Sequence, residues 1–208
     1  GGFARGRQTE IYGAEGLGKS SLCLHGLASA QEFGETAIID SEFALDLTYA
    51  KNIGVDINKI WLVQPESGEV ALGILENLIT TGEFSMIVID SVAALTPRAE
   101  IEGEMGQAHM ALQARLMSQA MRKLTAIISQ KNVAVIWTNQ LRKNLGGYGS
   151  PNVTPGGNAL KYYTTVRIEL TKGEAIVVKE GEDPIASKVK VKITKNKLVG
   201  HRWIRYLY

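Results

Sequence analysis

Segments with the apolar character of strands alternate along the chain with segments in which apolar residues recur every three or four positions. The predicted strands occupy residues 8–12, 36–40, 60–63, 85–90 and 133–137. The predicted helices occupy residues 21–28, 46–51, 69–79 and 109–130. This alternation predicts right-handed βαβ units, and so an α/β fold with a mostly parallel central sheet flanked by helices.

The pattern changes after residue 157, where apolar and polar positions alternate with a period of two. Such alternation predicts a C-terminal antiparallel extension with one face in water. Its strands are expected at residues 166–170, 187–194 and 202–208. Two stretches resist regular structure, residues 100–107 and 141–157, and a loop as long as the second is usually functional or disordered.

Composition narrows the class of protein only a little. The chain has 208 residues, of which 45% are hydrophobic and 21% charged, and its formal net charge is +2. The length favours one domain, and the low charge means that any nucleic-acid surface must be a local patch. No apolar run approaches the roughly 20 residues that span a bilayer. The single Cys23 can form no internal disulfide, which favours a cytoplasmic location.

One glycine-rich segment, residues 13–20, fits the pattern G-x-x-x-x-G-K-[ST] at every fixed position. It lies between a predicted strand and a predicted helix, where backbone N–H groups can surround phosphate oxygens. In that arrangement Lys19 reaches the β- and γ-phosphates, and the Ser20 hydroxyl ligates Mg²⁺. The alternative, a structural glycine-rich turn, does not explain why Lys and Ser follow the last glycine.

Carboxylates stand at the ends of two predicted strands. Asp90 ends an apolar strand at the edge where α/β sheets bind ligands, and there it either holds Mg²⁺ through water or caps the next turn. Asp40 and Glu42 end the second strand, and either is placed to polarise a water that attacks the γ-phosphate. The longer arm of Glu42 makes it the preferred candidate, with plain surface carboxylates as the alternative.

Two further groups carry possible chemistry around the nucleotide. Gln140 follows the fifth predicted strand and is either a sensor of the γ-phosphate or a solvent-facing amide. Lys195 and Lys197 either belong to the wet face of an edge strand or supply cations to a neighbouring subunit.

Arg115 and Arg122 are seven residues apart on the longest predicted helix, with Ser118 between them. Residues at this spacing share one face of a helix. Two arginines and a hydroxyl beside two glycine-containing loops suit the backbone of a polynucleotide. An ordinary solvated helix face is the alternative.

Several long segments together resemble the bacterial RecA recombinases, which are DNA-dependent ATPases of homologous recombination and DNA repair. The segments that carry the resemblance are residues 10–20, 39–46, 88–97, 99–104, 118–124, 156–161 and 195–197. The resemblance covers nearly the whole chain. It implies a RecA-like P-loop ATPase core that uses ATP and Mg²⁺.

The resemblance also assigns roles around the nucleotide. It implies that Glu42 activates the attacking water and that Gln140 senses the γ-phosphate and couples ATP to DNA binding. It places Lys195 and Lys197 across the subunit interface, on the neighbour's ATP, which makes them catalytic in trans with Lys19. The implied nucleotide-binding positions are Gly13, Glu15, Gly16, Gly18, Lys19, Ser20, Ser21, Asp46, Tyr49 and Asp90, with Ser20 and Asp90 (the latter via water) on the metal.

Two loops are implied to contact DNA, at residues 102–110 and 141–157. Met110 and Leu145 match positions where the family places apolar side chains between stacked base triplets. Tyr162 matches an aromatic residue at the subunit interface. The implied DNA-binding positions are Met110, Arg115, Ser118, Arg122, Arg142, Leu145, Gly156 and Gly157.

The resemblance therefore leads us to expect a recombinase core that binds single-stranded DNA as an ATP-bridged helical filament and pairs it with homologous duplex DNA. We expect residues 1–208 to form one core domain without the N-terminal oligomerisation helix and the C-terminal domain of the family. A RadA-type branch-migration ATPase is an alternative, but that type typically has Lys-Asn-Arg-Phe-Gly at residues 195–199. A nucleotide-binding regulator is another, against which Glu42 argues.

Overall fold

The computed structural model describes residues 2–104, 111–143, 152–176, 186–199 and 204–207. These residues form an eight-stranded sheet, a separate two-stranded ribbon, and helices on both faces of the sheet. The strands are β1 (Gln8–Gly13), β2 (Glu35–Asp40), β3 (Ile60–Val63), β4 (Phe84–Asp90), β5 (Ala134–Gln140), β6 (Arg142–Lys143), β7 (Asn152–Val153), β8 (Val166–Ile176), β9 (Ala186–Asn196) and β10 (Ile204–Leu207). The helices are α1 (Lys19–Ala30), α2 (Leu47–Ile53), α3 (Gly68–Thr81), α4 (Arg98–Ile101), α5 (Leu112–Lys131) and α6 (Ala159–Tyr163), and a 3₁₀ helix covers Val92–Ala94.

The strands cross the large sheet in the order β10-β9-β8-β1-β5-β4-β2-β3. From β8 to β3 every neighbouring pair is parallel, whereas β9 and β10 add antiparallel to β8. The carboxyl ends of the parallel strands therefore share one edge of the sheet. Four strands end there at Gly13, Asp40, Asp90 and Gln140. Open α/β sheets bind their ligands at this edge.

The core lies in two layers because successive side chains of a strand point to opposite faces. On β4, Ile87 and Ile89 pack with the apolar residues of α3, α5 and α6. Their neighbours Met86 and Val88 pack with those of α1 and α2. A strand buried on both faces is apolar throughout, which explains the continuous apolar run of β4.

The ends of the helices follow ordinary capping chemistry. Ser67 begins α3 by accepting a hydrogen bond from the Val70 N–H, and Gly82 ends it in the left-handed region with φ 79°. Asn132 ends α5 in the same way with φ 55°. In the part of the chain that the structure describes, no helix is both long enough and apolar enough to cross a membrane.

The predicted strands and helices of the first 140 residues are confirmed, with boundaries shifted by a few residues, except that residues 109 and 110 of the last helix lie outside the described residues. The stretch 100–107 was expected to be irregular, but its first two residues belong to α4. The C-terminal extension is partly different from the expectation, since β8 is parallel to β1 on one side and antiparallel to β9 on the other. The chain returns across the sheet between β5 and β8, in a connection that includes α6, a short helix that the pattern did not predict. Residues 141–157 also contain the ribbon of β6 and β7, although no regular structure was expected there.

Candidate active site

The glycine-rich segment forms the loop between β1 and α1. Gly16 and Gly18 have φ values of 72° and 74°, in the left-handed region that favours glycine, and Gly18 is the N-cap of α1. Gly13 has a different reason to be glycine. A Cβ at this position would lie 2.5 Å from the carbonyl oxygen of Leu170 on β8. The first glycine of the motif therefore allows close packing of two strands, and the other two shape the loop.

The ammonium group of Lys19 is held over this loop. Its Nζ donates to the carbonyl oxygens of Ala14 at 2.7 Å and Gly13 at 3.3 Å. Burial lowers the pKa of Lys19, and the carboxylates of Asp90 and Glu42 oppose that shift. Glu15, a little further along the loop, is exposed to solvent. A partly desolvated cation at the N-terminus of α1 favours an anion such as a phosphate group.

Asp90 accepts two short hydrogen bonds at the end of β4. Ser20 Oγ donates to Asp90 Oδ2, and Thr138 Oγ1 donates to Asp90 Oδ1, each at 2.6 Å. Burial raises the pKa of Asp90, and these two hydrogen bonds partly offset the effect. A hydroxyl and a carboxylate side by side are oxygen ligands of the kind that Mg²⁺ takes, so these residues fit the expected metal. Thr138 was not singled out from the sequence, although a polar residue near the end of an apolar strand is a detectable signal.

Glu42 and Gln140 are in direct contact. Oε1 of Glu42 accepts hydrogen bonds from Ser91 Oγ and from Gln140 Nε2, the latter at 3.0 Å. The sequence left open whether Gln140 faces the site or solvent, and the structure places its amide on Glu42. The two residues come from the ends of β2 and β5, so this pair spans the crevice at the edge of the sheet.

Asp40 has a different position from Glu42, although the sequence left both as candidates. It is 3% exposed and accepts four hydrogen bonds. Three come from the backbone N–H groups of Glu42, Ala44 and Leu45, and the fourth comes from Gln64 Nε2. Asp40 therefore folds the loop that carries Glu42, whereas Glu42 is exposed and accepts from Ser91 and Gln140.

The two expected contacts to adenine line one cavity together with Ser20 and Asp90. Asp46 caps α2, and its Oδ1 accepts from the N–H groups of Thr48 and Tyr49. The hydroxyl of Tyr49 forms a 2.8 Å hydrogen bond with Ser21 Oγ. Tyr49 is 47% exposed, so part of this aromatic residue is open to solvent beside the cavity.

Lys195 lies away from the phosphate loop of its own chain. It is paired in the sheet with Arg167, and Arg167 is paired with Glu10, three residues before Gly13. Because β9 runs antiparallel to β8, the end of β9 that carries Lys195 and continues to Lys197 lies at the opposite edge of the sheet from the loop. Lys195 Nζ donates to the carbonyl oxygens of Lys161 and Tyr162 at the end of α6. Burial and the charges of Lys197 and Arg167 lower its pKa to about 8.

The predicted DNA contacts on α5 lie on the outside of the protein. Arg115 and Arg122 are exposed, and Ser118 is half-buried with its Oγ donating to the Ala114 carbonyl oxygen at 2.7 Å. Met110 and Leu145 lie outside the described residues, as does the side chain of Arg142.

Gly156 and Gly157 lie directly against the first turns of α5. Both are in the left-handed region, with φ values of 84° and 72°. A Cβ on Gly157 would lie 2.8 Å from Ala114 Cβ, and one on Gly156 would lie 2.9 Å from Val92 Cγ1. The structure therefore brings the two glycines next to the helix that carries Arg115, Ser118 and Arg122.

A buried polar network that the sequence did not reveal connects the beginning and the end of the segment 141–155. Glu10 is fully buried, and its two carboxylate oxygens accept from Arg167 Nε at 2.5 Å and from Asn139 Nδ2 at 3.1 Å. Asn139 Nδ2 also donates to the carbonyl oxygen of Pro155 at 3.1 Å. Asn139, next to Gln140, therefore holds the beginning and the end of this segment together.

Comparison with known proteins agrees with this geometry. The model of the RecA N-terminal domain matches residues 1–202. The chain is 52% identical over 200 residues to the protein RecA of Listeria monocytogenes serotype 4a (strain HCC23), which is 95% of this chain and 57% of that protein. Identity and coverage are the same for the RecA proteins of Listeria welshimeri and Listeria ivanovii. The chain thus spans somewhat more than half the length of these relatives, and a match over nearly all of its own length shows that it belongs to the RecA family.

Proposed function

We propose that this chain is the ATPase core of a DNA recombinase. It binds single-stranded DNA as an ATP-bridged helical filament, pairs that strand with homologous duplex DNA, and hydrolyses ATP when DNA is bound. The observation that carries the proposal is the contact between Glu42 and Gln140 beside the phosphate loop. It joins the carboxylate suited to water activation to the residue that opens the segment 141–157.

Hydrolysis uses the residues at the carboxyl edge of the sheet. Glu42 orients a water toward the γ-phosphorus and accepts its proton as the new O–P bond forms and the bond to the bridging oxygen of ADP breaks. Lys19 and the N–H groups of the loop hold the β- and γ-phosphates. Ser20 and Asp90 would hold Mg²⁺, which when bound neutralises charge on the phosphate oxygens. The products are ADP and inorganic phosphate.

Coupling to DNA begins with competition for the Gln140 amide. In the structure that amide donates to Glu42 Oε1. A γ-phosphate in the loop offers a competing ionised acceptor that carries more negative charge than the Glu42 carboxylate. Transfer of the Gln140 amide to the phosphate frees Glu42 for water and shifts the start of the segment 141–157. ATP binding and DNA binding then both depend on Gln140, whose amide contacts either Glu42 or the γ-phosphate.

The DNA strand is held by its backbone on the surface formed by α5 and the glycine pair. Arg115, Ser118 and Arg122 supply charge and a hydroxyl, and Gly156 and Gly157 allow a close approach of backbone N–H groups to phosphates. Binding through phosphates leaves the bases free to pair with another strand. On the resemblance to the RecA family, we assign residues 102–110 and 141–157 as two further DNA-contacting segments.

Filament formation completes the active site. Lys195 and Lys197 lie at the opposite edge of the sheet from their own phosphate loop, so we assign them to the nucleotide of the next protomer. Tyr162 is 65% exposed beside the Lys195 contact and suits a residue at the same interface. Hydrolysis then depends on assembly, because each nucleotide receives cations from two chains.

The test is ATP turnover with and without a poly(dT) strand, in the protein as expressed from its gene. We expect stimulation by DNA in the wild type. We expect the Glu42→Gln variant to keep ATP-dependent DNA binding and lose at least about a hundredfold in turnover. Glu32→Gln, a change at an exposed carboxylate after α1, is the matched control. The proposal is contradicted if the wild type binds ATP and assembles but its ATP turnover is the same with and without poly(dT).

A further inference from the structure

The side chain of Gln113, on the first turn of α5, bridges two segments of the site. Its Nε2 donates to the carbonyl oxygens of Val92 at 2.9 Å and Leu95 at 3.1 Å, in and just after the 3₁₀ helix. Its Oε1 accepts from the N–H of Gly156 at 3.2 Å. The Gln113 amide therefore donates to the turn that follows β4 and accepts from the backbone of Gly156.

The turn that Gln113 holds is attached to the active-site carboxylate. Ser91, immediately before the 3₁₀ helix, is 1% exposed, and its Oγ donates to Glu42 Oε1. Its carbonyl oxygen accepts from the Ala94 N–H within the same turn. Two consecutive hydrogen bonds, from Ser91 to Glu42 and from Ala94 to Ser91, therefore connect Glu42 to the turn whose carbonyl oxygens Gln113 binds.

Gly156 and Gly157 are packed closely against the 3₁₀ helix and α5. A Cβ on Gly156 would meet Val92 Cγ1 at 2.9 Å, and one on Gly157 would meet Ala114 Cβ at 2.8 Å. Closely packed interiors transmit displacement, because few voids are left to absorb it. The hydrogen bonds of Gln113 and this packing thus act on the same two residues.

We propose that Gln113 is a positioning residue that couples the nucleotide site to the Gly156–Gly157 backbone. The inference rests on the proposed function, because it explains how ATP adjusts the same DNA-facing glycines. It adds a second connection to that of Gln140. The Gln140 connection acts on the beginning of the segment 141–157, whereas Gln113 acts on its end.

The chemistry of the bridge requires an amide. Leucine has nearly the size of glutamine but offers neither a donor to the Val92 and Leu95 carbonyl oxygens nor an acceptor to Gly156. Glutamate keeps the acceptor but turns a carboxylate oxygen toward two carbonyl oxygens, which repel it. Both variants therefore break the bridge. Leucine removes the donor and the acceptor, and glutamate replaces the donor with a second acceptor.

The experiment measures amide hydrogen exchange of residues 154–160 with and without a slowly hydrolysed ATP analogue. The variants are Gln113→Leu and Gln113→Glu, with Gln119→Leu at an exposed position of the same helix as the matched control. In the wild type and the control we expect the analogue to slow exchange of the Gly156 amide. In both Gln113 variants we expect that slowing to fall about tenfold, the effect of losing one hydrogen bond of ordinary strength. ATP-dependent tightening of poly(dT) binding should fall by the same factor.

The outcomes separate the inference from the function on which it rests. If Gly156 exchange in the wild type responds to nucleotide but turnover ignores DNA, the coupling stands and the recombinase function fails. If DNA stimulates turnover while both Gln113 variants keep the wild-type response at Gly156, the inference is overturned and the function stands. A wild type without any nucleotide response at Gly156 also overturns the inference. Should the leucine variant unfold early in a thermal melt, the glutamate variant decides.

Discussion

The Gln140 amide and the Glu42 carboxylate are joined by a 3.0 Å hydrogen bond across the crevice between the ends of β5 and β2. Ser91 shares the same carboxylate oxygen. Glu42 Oε1 is therefore the point at which three strand ends meet, since Ser91 directly follows β4. A ligand that draws Gln140 away leaves Ser91 as the remaining one of these two donors to that oxygen.

Removing the Gln140 amide should separate ATP binding from DNA binding. We expect Gln140→Ala to reduce the stimulation of ATP turnover by poly(dT) at least tenfold, because about 1.4 kcal/mol of lost hydrogen bonding corresponds to that factor. Poly(dT) affinity should become nearly the same with ATP and with ADP. Gln130→Ala, at the exposed end of α5, is the control. Undiminished stimulation in Gln140→Ala would argue against a sensor role.

The glycines of the chain should respond to alanine according to what surrounds them. Gly13→Ala forces a Cβ toward the Leu170 carbonyl oxygen, 2.5 Å away, and we expect it to lower the free energy of unfolding by about 1–3 kcal/mol. Gly73 is exposed within α3 and has open space, so Gly73→Ala should raise that free energy by about 0.5–1 kcal/mol. Urea unfolding of both variants measures the difference, and equal effects would contradict the strand-packing role of Gly13.

The lowered pKa of Lys195 predicts that the stability of the folded chain depends on pH. Its pKa is about 8 in the folded chain against an ordinary value of 10.5, mainly because of burial. Between these two values the unfolded chain binds more protons than the folded one, so the Lys195 contribution to stability rises with pH across that window. Below about pH 8 both states are protonated and the contribution stays at its lower level.

The measurement for Lys195 is the difference in unfolding free energy between wild type and Lys195→Met, followed by urea titration from pH 7 to pH 10. We expect the wild type to gain relative to the variant as pH rises. Lys172→Met, on the neighbouring strand β8, controls for general effects of removing a lysine. A difference that stays flat, or falls, would show that the Lys195 ammonium is not destabilised by its surroundings.

The ion pair of Glu10 and Arg167 should be strongly coupled. Glu10 is fully buried, and the Arg167 side chain is 12% exposed. Arg167→Met leaves an unpaired buried carboxylate, and we expect it to lower the free energy of unfolding by about 3–5 kcal/mol. Adding Glu10→Gln removes the uncompensated charge and should recover part of the loss.

A double-mutant cycle on Glu10 and Arg167 gives their interaction energy directly. Because Asn139 also donates to Glu10, the single Glu10→Gln change should in addition loosen the connection between the beginning and the end of the segment 141–155. Additive effects of the two substitutions would mean that the pair is not coupled in the folded protein.

Much of the architecture follows from local patterns. The apolar runs identified β2, β4 and β5, because strands buried on both faces need no polar alternation. β3 is also an apolar run, but it is an edge strand on which Trp61 and Leu62 are exposed. The phosphate loop is visible because its chemistry is confined to eight consecutive residues. α6 escaped prediction because five residues are too few to display helical periodicity.

The rest of the site depends on contacts between distant residues, which periodicity does not reveal. Gln113 has the spacing of any helix-surface amide, and only the fold sets it between Val92 and Gly156. Thr138 and Asn139 look like the polar end of a strand until β4 and β1 are placed beside them. The choice between Asp40 and Glu42 likewise needed the hydrogen bonds that occupy Asp40.

The close approach of Gly13 to Leu170 has a consequence for any attempt to trim the protein. The root of the phosphate loop rests on β8, a strand encoded more than 150 positions later in the chain. A fragment that stops after β5 would keep the whole nucleotide motif but lose β8, the strand against which Gly13 packs. We therefore expect nucleotide binding to require a fragment that extends at least through β8, and short peptides around the motif to be poor substitutes for the intact core.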